Sequence, residues 1–111
     1  MSGFEARTLR DADSLVVALA GDCDLDSRDE MTAALVDAVR SSRTVMVDLA
    51  DVGFLDSSGL HALVTAHHAA LERGGVLHVV NVTGAVATVL EITGILELLR
   101  PPTPRQADQR D

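Results

Sequence analysis

The 111-residue sequence contains no lysine, tryptophan or tyrosine, and Phe4 and Phe54 are its only phenylalanines. All 9 basic residues are therefore arginines, and because 17 residues are acidic the formal net charge is -8. An acidic chain without runs of basic residues lacks the positive surface that binds nucleic-acid phosphates or anionic lipids. The scarcity of aromatic rings also excludes a platform for stacking bases. We therefore expect neither nucleic acid nor a membrane among its partners.

Cysteine and long apolar segments are scarce as well. Cys23 is the single cysteine, so the chain cannot form an internal disulfide, which suits a reducing compartment. No apolar run approaches the roughly 18–20 residues that cross a membrane. Residues 1–10 are polar and lack the apolar core of a signal peptide. These absences predict a soluble, cytoplasmic protein.

Hydrophobic residues make up 47% of the sequence, which is typical of a globular chain rather than a disordered one. A length of 111 residues supports one domain that can fold without disulfides. We assign this domain to residues 1–100. The tail, residues 101–111, contains all 3 prolines and no apolar anchor, and it is predicted to be disordered.

The N-terminal part of the domain predicts a β-hairpin followed by a helix. Residues 5–21 comprise two extended runs joined by turn-forming residues at 11–14. After an acidic first loop, residues 22–26, Ser27 and Glu30 have the spacing of a capping box that opens a helix. The apolar residues of this helix recur at helical spacing and form one stripe: Met31, Ala34, Leu35, Ala38 and Val39.

Three strands and two further helices are predicted in the rest of the domain. Residues 44–50 form a nearly continuous apolar run, typical of a strand covered on both faces, and residues 76–82 form another. Helices are predicted over residues 57–73 and 85–92, and residues 96–99 are assigned to a short last strand. The inward side of the longer helix is expected to carry Leu60, Leu63, Val64, His67 and Leu71.

The predicted order of elements is β-β-α-β-α-β-α-β. Strands that alternate with helices form a mainly parallel sheet joined by right-handed crossovers. The N-terminal hairpin adds an antiparallel pair to this sheet. We therefore expect an α/β fold: one domain with a mixed, mainly parallel central β-sheet, an N-terminal hairpin and three to four helices.

The most informative segment is Asp56-Ser57-Ser58-Gly59, which lies between a buried strand and a helix. One interpretation is helix capping alone, since Asp and Ser side chains satisfy free N–H groups at a helix start and stabilise it by about 1 kcal/mol. The other is a phosphorylation site, because the positive end of a helix tolerates a phosphate. A phosphate would add about -1.5 to -2 charges to an acidic surface. The residues themselves leave both interpretations open.

The sequence around this segment resembles the STAS domain family and, within it, the bacterial anti-sigma factor antagonists. The resemblance rests on D-S-S-G-L at residues 56–60, on the preceding D-L-A-D-V-G-F-L and on Gly21-Asp22-Cys23-Asp24. It covers about residues 5–100 and implies a single STAS-like domain. It also implies a switch protein, since family members bind an anti-sigma factor that is also a serine kinase and thereby free a sigma factor.

The same resemblance implies site residues and partners. The kinase phosphorylates the first serine of the segment, here Ser57, and the phosphorylated protein releases the kinase. A PP2C-type phosphatase then resets the switch. The first loop, the Ser57 loop and the second helix form the docking face, and Asp24 matches an acidic residue beside the phosphorylated serine of relatives. The docking or phosphosite-adjacent residues are then Asp22, Asp24, Asp56, Ser58 and Gly59, with Ser58 acting as a helix cap.

Three positions, Asp22, Cys23 and His61, depart from the family pattern and bear on partner identity. The common first-loop motif is Gly-Glu-Leu-Asp, whereas this chain has Gly21-Asp22-Cys23-Asp24. The difference keeps an acidic residue and replaces an apolar side chain by a thiol, which we expect to be partly buried. His61 stands where relatives often have a small residue.

Histidines and aspartates also raise the question of a metal site. His67 and His78 are expected in or near the core, whereas His61 and His68 share a helix face roughly 10 Å apart, too far for one ion. The aspartates of the first loop lack the glycine and the distal glutamate of a calcium loop. We therefore expect neither a metal nor another cofactor.

Two other functions are compatible with parts of the sequence. An enzyme would need a base beside Ser57, but there is no G-x-S-x-G elbow and no histidine is tied to this serine, so we expect no catalytic residue. The remaining alternative is a STAS scaffold or sensory interaction module without regulated phosphorylation. In either binding role the free chain is expected to be a monomer or a weak homodimer.

Overall fold

The computed structural model describes residues 3–101, so the predicted disorder of the tail lies, beyond Pro101, outside the described residues. This part of the chain forms four strands and four helices. The strands are β1 (Phe4–Asp11), β2 (Ser14–Cys23), β3 (Thr44–Leu55) and β4 (Val76–Val80). The helices are α1 (Arg28–Ser41), α2 (Ser57–Glu72), α3 (Gly84–Ile92) and α4 (Ile95–Leu99).

The sheet has the order β1-β2-β3-β4. β1 is antiparallel to β2, while β2, β3 and β4 are parallel. The predicted α/β fold with an N-terminal hairpin and a mainly parallel sheet is thereby confirmed. Because α1 and α2 each connect two neighbouring parallel strands, both helices begin at the edge where the parallel strands end. We call this the carboxyl edge of the sheet.

The core lies between the sheet and the packed pair α1 and α2. Met31, Leu35 and Leu63 supply fully buried side chains from the two helices. The expectation that the third strand is buried on both faces is wrong, because Met46 and Asp48 are only half-buried. Right-handed crossovers that add strands in one direction place both helices on one side of the sheet. The sheet residues buried on that side are Leu15, Val17, Leu19, Val45, Val47, Leu49, Leu77 and Val79.

β3 is longer than predicted and β4 is shorter. The strand expected to end at residue 50 continues to Leu55, because β2 remains paired with it as far as Cys23 through two register shifts. Such shifts absorb extra residues without ending the pairing. β4 ends at Val80 because Asn81 has a φ of 58°, which interrupts an extended chain.

The predicted last strand at residues 96–99 is wrong, since this segment belongs to α4. Ile95 and Leu99 stand four residues apart, the spacing of one helix face, and Leu99 is fully buried. The alternation that a strand requires would place Leu98 inside, yet 45% of its surface is exposed. Packing of α4 against β4 and α2 therefore decides its conformation.

The two long helices match the predicted spans closely. In α1 the predicted stripe is buried except at Ala34, which is half-buried. In α2 the expectation for Leu71 is wrong, because it is 53% exposed and Ala70 lies inside instead. Gly74, with a φ of 78°, ends α2 as its sequence position predicts. Among residues 3–101, none of the helices combines the length and the apolar character needed to span a membrane.

Candidate functional site

The candidate site is built where the ends of β2 and β3 meet the start of α2. Cys23 and Leu55 are register partners, and the Cys23 carbonyl accepts a hydrogen bond from the Asp56 N–H at 3.2 Å. A Cβ added to Gly59 would lie 2.7 Å from the Cys23 carbonyl oxygen. The glycine thus permits a close approach that brings the first loop to the start of α2.

Asp56 is the N-cap of α2. Its Oδ1 accepts hydrogen bonds from the Ser58 N–H at 2.9 Å and from the Gly59 N–H at 3.4 Å. The expectation that Ser58 serves as the cap is therefore wrong. Ser57 and Ser58 are the first two residues of the helix, and Ser57 is exposed whereas Ser58 is half-buried. Within residues 3–101 the Ser57 side chain makes no hydrogen bond, and the N–H groups at the helix start bond to Asp56 instead.

Ser27 organises the first loop instead of capping α1. Its Oγ accepts a hydrogen bond from the Asp24 N–H at 3.0 Å and donates to the Asp22 carbonyl at 2.8 Å. In return, Asp24 Oδ1 accepts from the Ser27 N–H at 3.2 Å. The predicted capping box with Glu30 is wrong, because the serine makes no side-chain cap bond to α1. The sequence marks Ser27 only as a helix-start residue, so its role in the loop was missed.

Three carboxylates converge on the thiol of Cys23. Burial raises the pKa of this thiol to about 12, together with the negative charges of Asp24, Asp22 and Asp56. We call these three residues the acidic cluster. The expectation of partial burial is exceeded, since Cys23 is fully buried. A thiol that stays protonated and inaccessible is not a nucleophile, and Cys23 therefore acts as a packing residue beneath the acidic cluster.

Two large apolar side chains flank the acidic cluster in solvent. Leu25 in the first loop is 64% exposed, and Phe54 near the end of β3 is 49% exposed. Such residues are candidates for burial against a partner. Neither residue is predicted as a docking residue from the sequence, although an isolated leucine between two aspartates is a signal of exposure.

The histidines lie away from this arrangement, except His61 on the first turns of α2. His67 is buried, as predicted, and its pKa is lowered by burial and by the neighbouring His68 and His78. His78 is half-buried in β4, and its Nδ1 lacks a hydrogen-bond partner in the described chain. Among residues 3–101, there is no group of three or more His, Cys, Asp or Glu residues that could hold a metal ion.

Comparison with known proteins identifies the class of domain. A family model described as "Mlab, STAS domain" matches residues 6–100, which is most of the chain. The protein therefore belongs to the STAS domain family, as its sequence motifs predicted.

Individual relatives carry regulatory names. The anti-sigma-B factor antagonist of Listeria monocytogenes is 28% identical over 91 residues, which cover 81% of this chain and 80% of the relative. A solved anti-sigma factor antagonist from Mycobacterium paratuberculosis has a TM-score of 0.78 at 22% identity, covering 98% of this chain and 96% of that chain. The Bacillus cell fate determinant SpoIIAA in its phosphorylated form has a TM-score of 0.66 at 19% identity, covering 97% and 98%. The structural likenesses show that the fold is shared.

Proposed function

We propose that this protein is an anti-sigma factor antagonist, which binds an anti-sigma factor and thereby frees a sigma factor. Family membership supports the proposal, as does the name of a relative that matches 81% of the chain. The observation that carries it is the exposed Ser57 at the first position of α2, next to the acidic cluster. In this role the protein is a cytoplasmic binding protein and not an enzyme.

Phosphorylation of Ser57 is the proposed switch. The kinase activity of the anti-sigma factor transfers the γ-phosphoryl group of ATP to Ser57 Oγ, while the bond to ADP breaks and the hydroxyl proton leaves. A PP2C-type phosphatase hydrolyses the ester and restores the hydroxyl. Exposure favours Ser57 over the half-buried Ser58 as the acceptor. A further support is that SpoIIAA, which has the same fold, is known in phosphorylated and unphosphorylated forms.

Release follows from electrostatics in this proposal. A phosphate adds about -1.5 to -2 charges at neutral pH, and at Ser57 it would join the acidic cluster on one surface. A partner surface that accommodates a neutral hydroxyl would then face an uncompensated charge that is costly to desolvate. Because Ser57 is exposed and outside the core, the added charge weakens docking without unfolding the domain.

The proposed docking face comprises the first loop, the Ser57 loop and the exposed side of α2. Leu25 and Phe54 provide its apolar anchors, since both lie in solvent at the carboxyl edge. The acidic cluster surrounds them with negative charge, which favours a partner surface that carries arginine or lysine. Such a combination of apolar centre and charged rim is common in protein interfaces.

The decisive experiment compares Ser57→Ala with Ser57→Asp as baits in pull-downs from host lysate, with captured proteins identified by mass spectrometry. An anti-sigma kinase retained by the alanine bait and lost from the aspartate bait supports the switch. Ser41→Ala and Ser41→Asp are controls at an exposed serine at the C-terminal end of α1, away from the proposed docking face, and should both retain the kinase. If all four baits capture the same partners, the protein is a constitutive STAS scaffold and Ser57 is only a helix residue.

A salt titration separates charge from steric exclusion. Binding of the purified kinase to the Ser57→Asp variant should recover partly as ionic strength rises, because salt screens exposed charges over about 10 Å at 0.1 M. The Ser57→Ala variant serves as the reference for effects of salt on the rest of the interface. Weakened binding that does not respond to salt would contradict the electrostatic mechanism and favour a steric one.

A further inference from the structure

A cleft opens between α1 and α2 on the surface of the domain. Its volume is about 480 Å³, and its walls include Arg28 and Asp29 from α1 and His61 and Thr65 from α2. Both helices begin at the carboxyl edge and pack along each other. Arg28 and Ser57, each the first residue of its helix, therefore lie at the same end of the helix pair. One wall of the cleft is thus formed by the helix whose first residue is the proposed phosphorylation site.

His61 lies one helical turn after Ser57. A separation of four residues puts two side chains on the same side of a helix, with Cβ atoms about 6 Å apart. Both side chains are exposed, and no hydrogen bond within residues 3–101 ties the Ser57 hydroxyl to another group. The imidazole of His61 is therefore within reach of a group attached to Ser57 Oγ.

The charges around Ser57 are unequal on its two sides. On one side lies the acidic cluster, in which Asp22 and Asp24 belong to the first loop and Asp56 directly precedes Ser57. Its negative charge repels a phosphate. The cleft offers two side chains with N–H donors, the guanidinium of Arg28 and the imidazole of His61, on the other side. Arg28 Nε lies 3.6 Å from Asp29 Oδ1 in a solvent-exposed pair. A phosphate with two negative charges competes well with one carboxylate, because its hydrogen bonds to arginine are charge-assisted and can be bidentate.

We propose that Arg28 and His61 hold the phosphoryl group of phosphorylated Ser57 within the chain, as a phosphate clamp. This inference rests on the proposed phosphorylation of Ser57. In the clamp, N–H groups of the Arg28 guanidinium and the His61 imidazole donate hydrogen bonds to phosphate oxygens, and the phosphate turns from the acidic cluster toward the cleft. Within residues 3–101, Arg28 and Asp29 are the only arginine, aspartate or glutamate side chains that line the cleft.

The clamp has a regulatory consequence. A phosphate ester that is held against α2 is less accessible to a phosphatase than one that extends into solvent. The released state of the switch therefore lasts longer than it would without Arg28 and His61.

The test uses full-length protein with phosphoserine incorporated at position 57 during translation, so that no kinase is needed. Phosphorus NMR follows the second ionisation of the phosphate, whose ordinary pKa is about 6. We expect this pKa to be about 0.5 lower than in a phosphopeptide of the same sequence, because nearby cations favour the dianion. His61→Gln and Arg28→Gln should each reverse part of the shift.

His68→Gln is the matched control, since it removes an exposed histidine from the same helix farther from position 57. It should leave the phosphate pKa unchanged, and circular dichroism verifies that every variant is folded. An unchanged phosphate pKa in both His61→Gln and Arg28→Gln would overturn the clamp and assign the whole shift to the helix N-terminus. Because translation supplies the phosphoserine, a failure to find any kinase for Ser57 would count against the proposed function alone.

Dephosphorylation gives a second, independent readout. The phosphoserine proteins are incubated with a PP2C-type phosphatase, and the release of inorganic phosphate is measured. A pKa difference of 0.5 corresponds to about a threefold change in an equilibrium. Because each variant reverses only part of this shift, His61→Gln and Arg28→Gln should each lose their phosphate faster than the parent protein, by a factor of at most about three. Equal rates for the parent, His61→Gln and Arg28→Gln would refute the protective role of the clamp.

Discussion

Replacing Gly59 by alanine is expected to destabilise the domain, because the new methyl group meets atoms that belong to two other parts of the fold. An ideal Cβ at this position would lie 2.5 Å from Leu55 Cδ1, 2.7 Å from the Cys23 carbonyl oxygen and 2.9 Å from Cys23 Cβ. The leucine methyl can rotate away, whereas the two Cys23 atoms are fixed by the pairing of β2 with β3. The strand end and the helix start must therefore separate.

The expected magnitude follows from two opposing terms. Inserting a methyl group into a well-packed region costs about 1–3 kcal/mol, while alanine in place of glycine within a helix recovers about 1 kcal/mol. Because the backbone of Cys23 cannot move locally, we place the penalty for inserting the methyl group near its upper limit. The free energy of unfolding should then decrease by about 2 kcal/mol in total. For a chain of this length that lowers the melting temperature by about 10 °C.

The assay is urea unfolding followed by far-ultraviolet circular dichroism, because the chain lacks tryptophan and tyrosine for fluorescence. Gly53→Ala is the matched control: a Cβ there meets nothing within 4 Å and the glycine has no positive φ. Its change in the free energy of unfolding should stay within about 0.5 kcal/mol. The reasoning is refuted if Gly59→Ala unfolds at the same urea concentration as the parent protein, or at a higher one.

Two further predictions concern buried titratable groups. Iodoacetamide should alkylate Cys23 at pH 8 about a thousandfold more slowly in the folded protein than in urea. The reason is that burial raises the pKa of the thiol to about 12. Equal alkylation rates in the two conditions would show that the thiol is accessible. His67 has a lowered pKa, so the unfolded chain takes up its proton at higher pH than the folded one. The free energy of unfolding should therefore decrease as pH falls below about 6.5, by at most about 1.4 kcal/mol per pH unit. In urea unfolding, His67→Leu should flatten this dependence of the free energy of unfolding on pH. His61→Gln, at an exposed position, should retain the dependence. An unchanged slope in His67→Leu would exclude His67 as the source of the pH dependence.

The local patterns of the sequence predicted most of the elements. The hairpin and α2 were found with nearly correct bounds, because turn residues and helical periodicity act over a few neighbouring positions. The errors lie where a distant segment decides the conformation. β3 extends to Leu55 because β2 pairs with it, and residues 96–99 are helical because Leu99 packs into the core.

The candidate site divides in the same way. The sequence by itself identified the Asp56-Ser57-Ser58-Gly59 segment and the acidic first loop, since both are short contiguous motifs. It could not determine which side chain caps α2, because Asp56 and the two serines are all competent caps. Which side chain caps α2 depends on the direction in which the chain leaves β3 and enters the helix.

Only the tertiary structure decided which distant residues share the site. The convergence of the acidic cluster on Cys23, and the shared cleft of Arg28 and His61, join residues more than thirty positions apart in the chain. Parallel strands joined by right-handed crossovers bring their ends, and the starts of the following helices, to one edge of the sheet. The sequence determines which chemical groups are present, but no local pattern in it encodes the distance between residues on separate strands. The topology of the sheet therefore determines which of these residues lie close together.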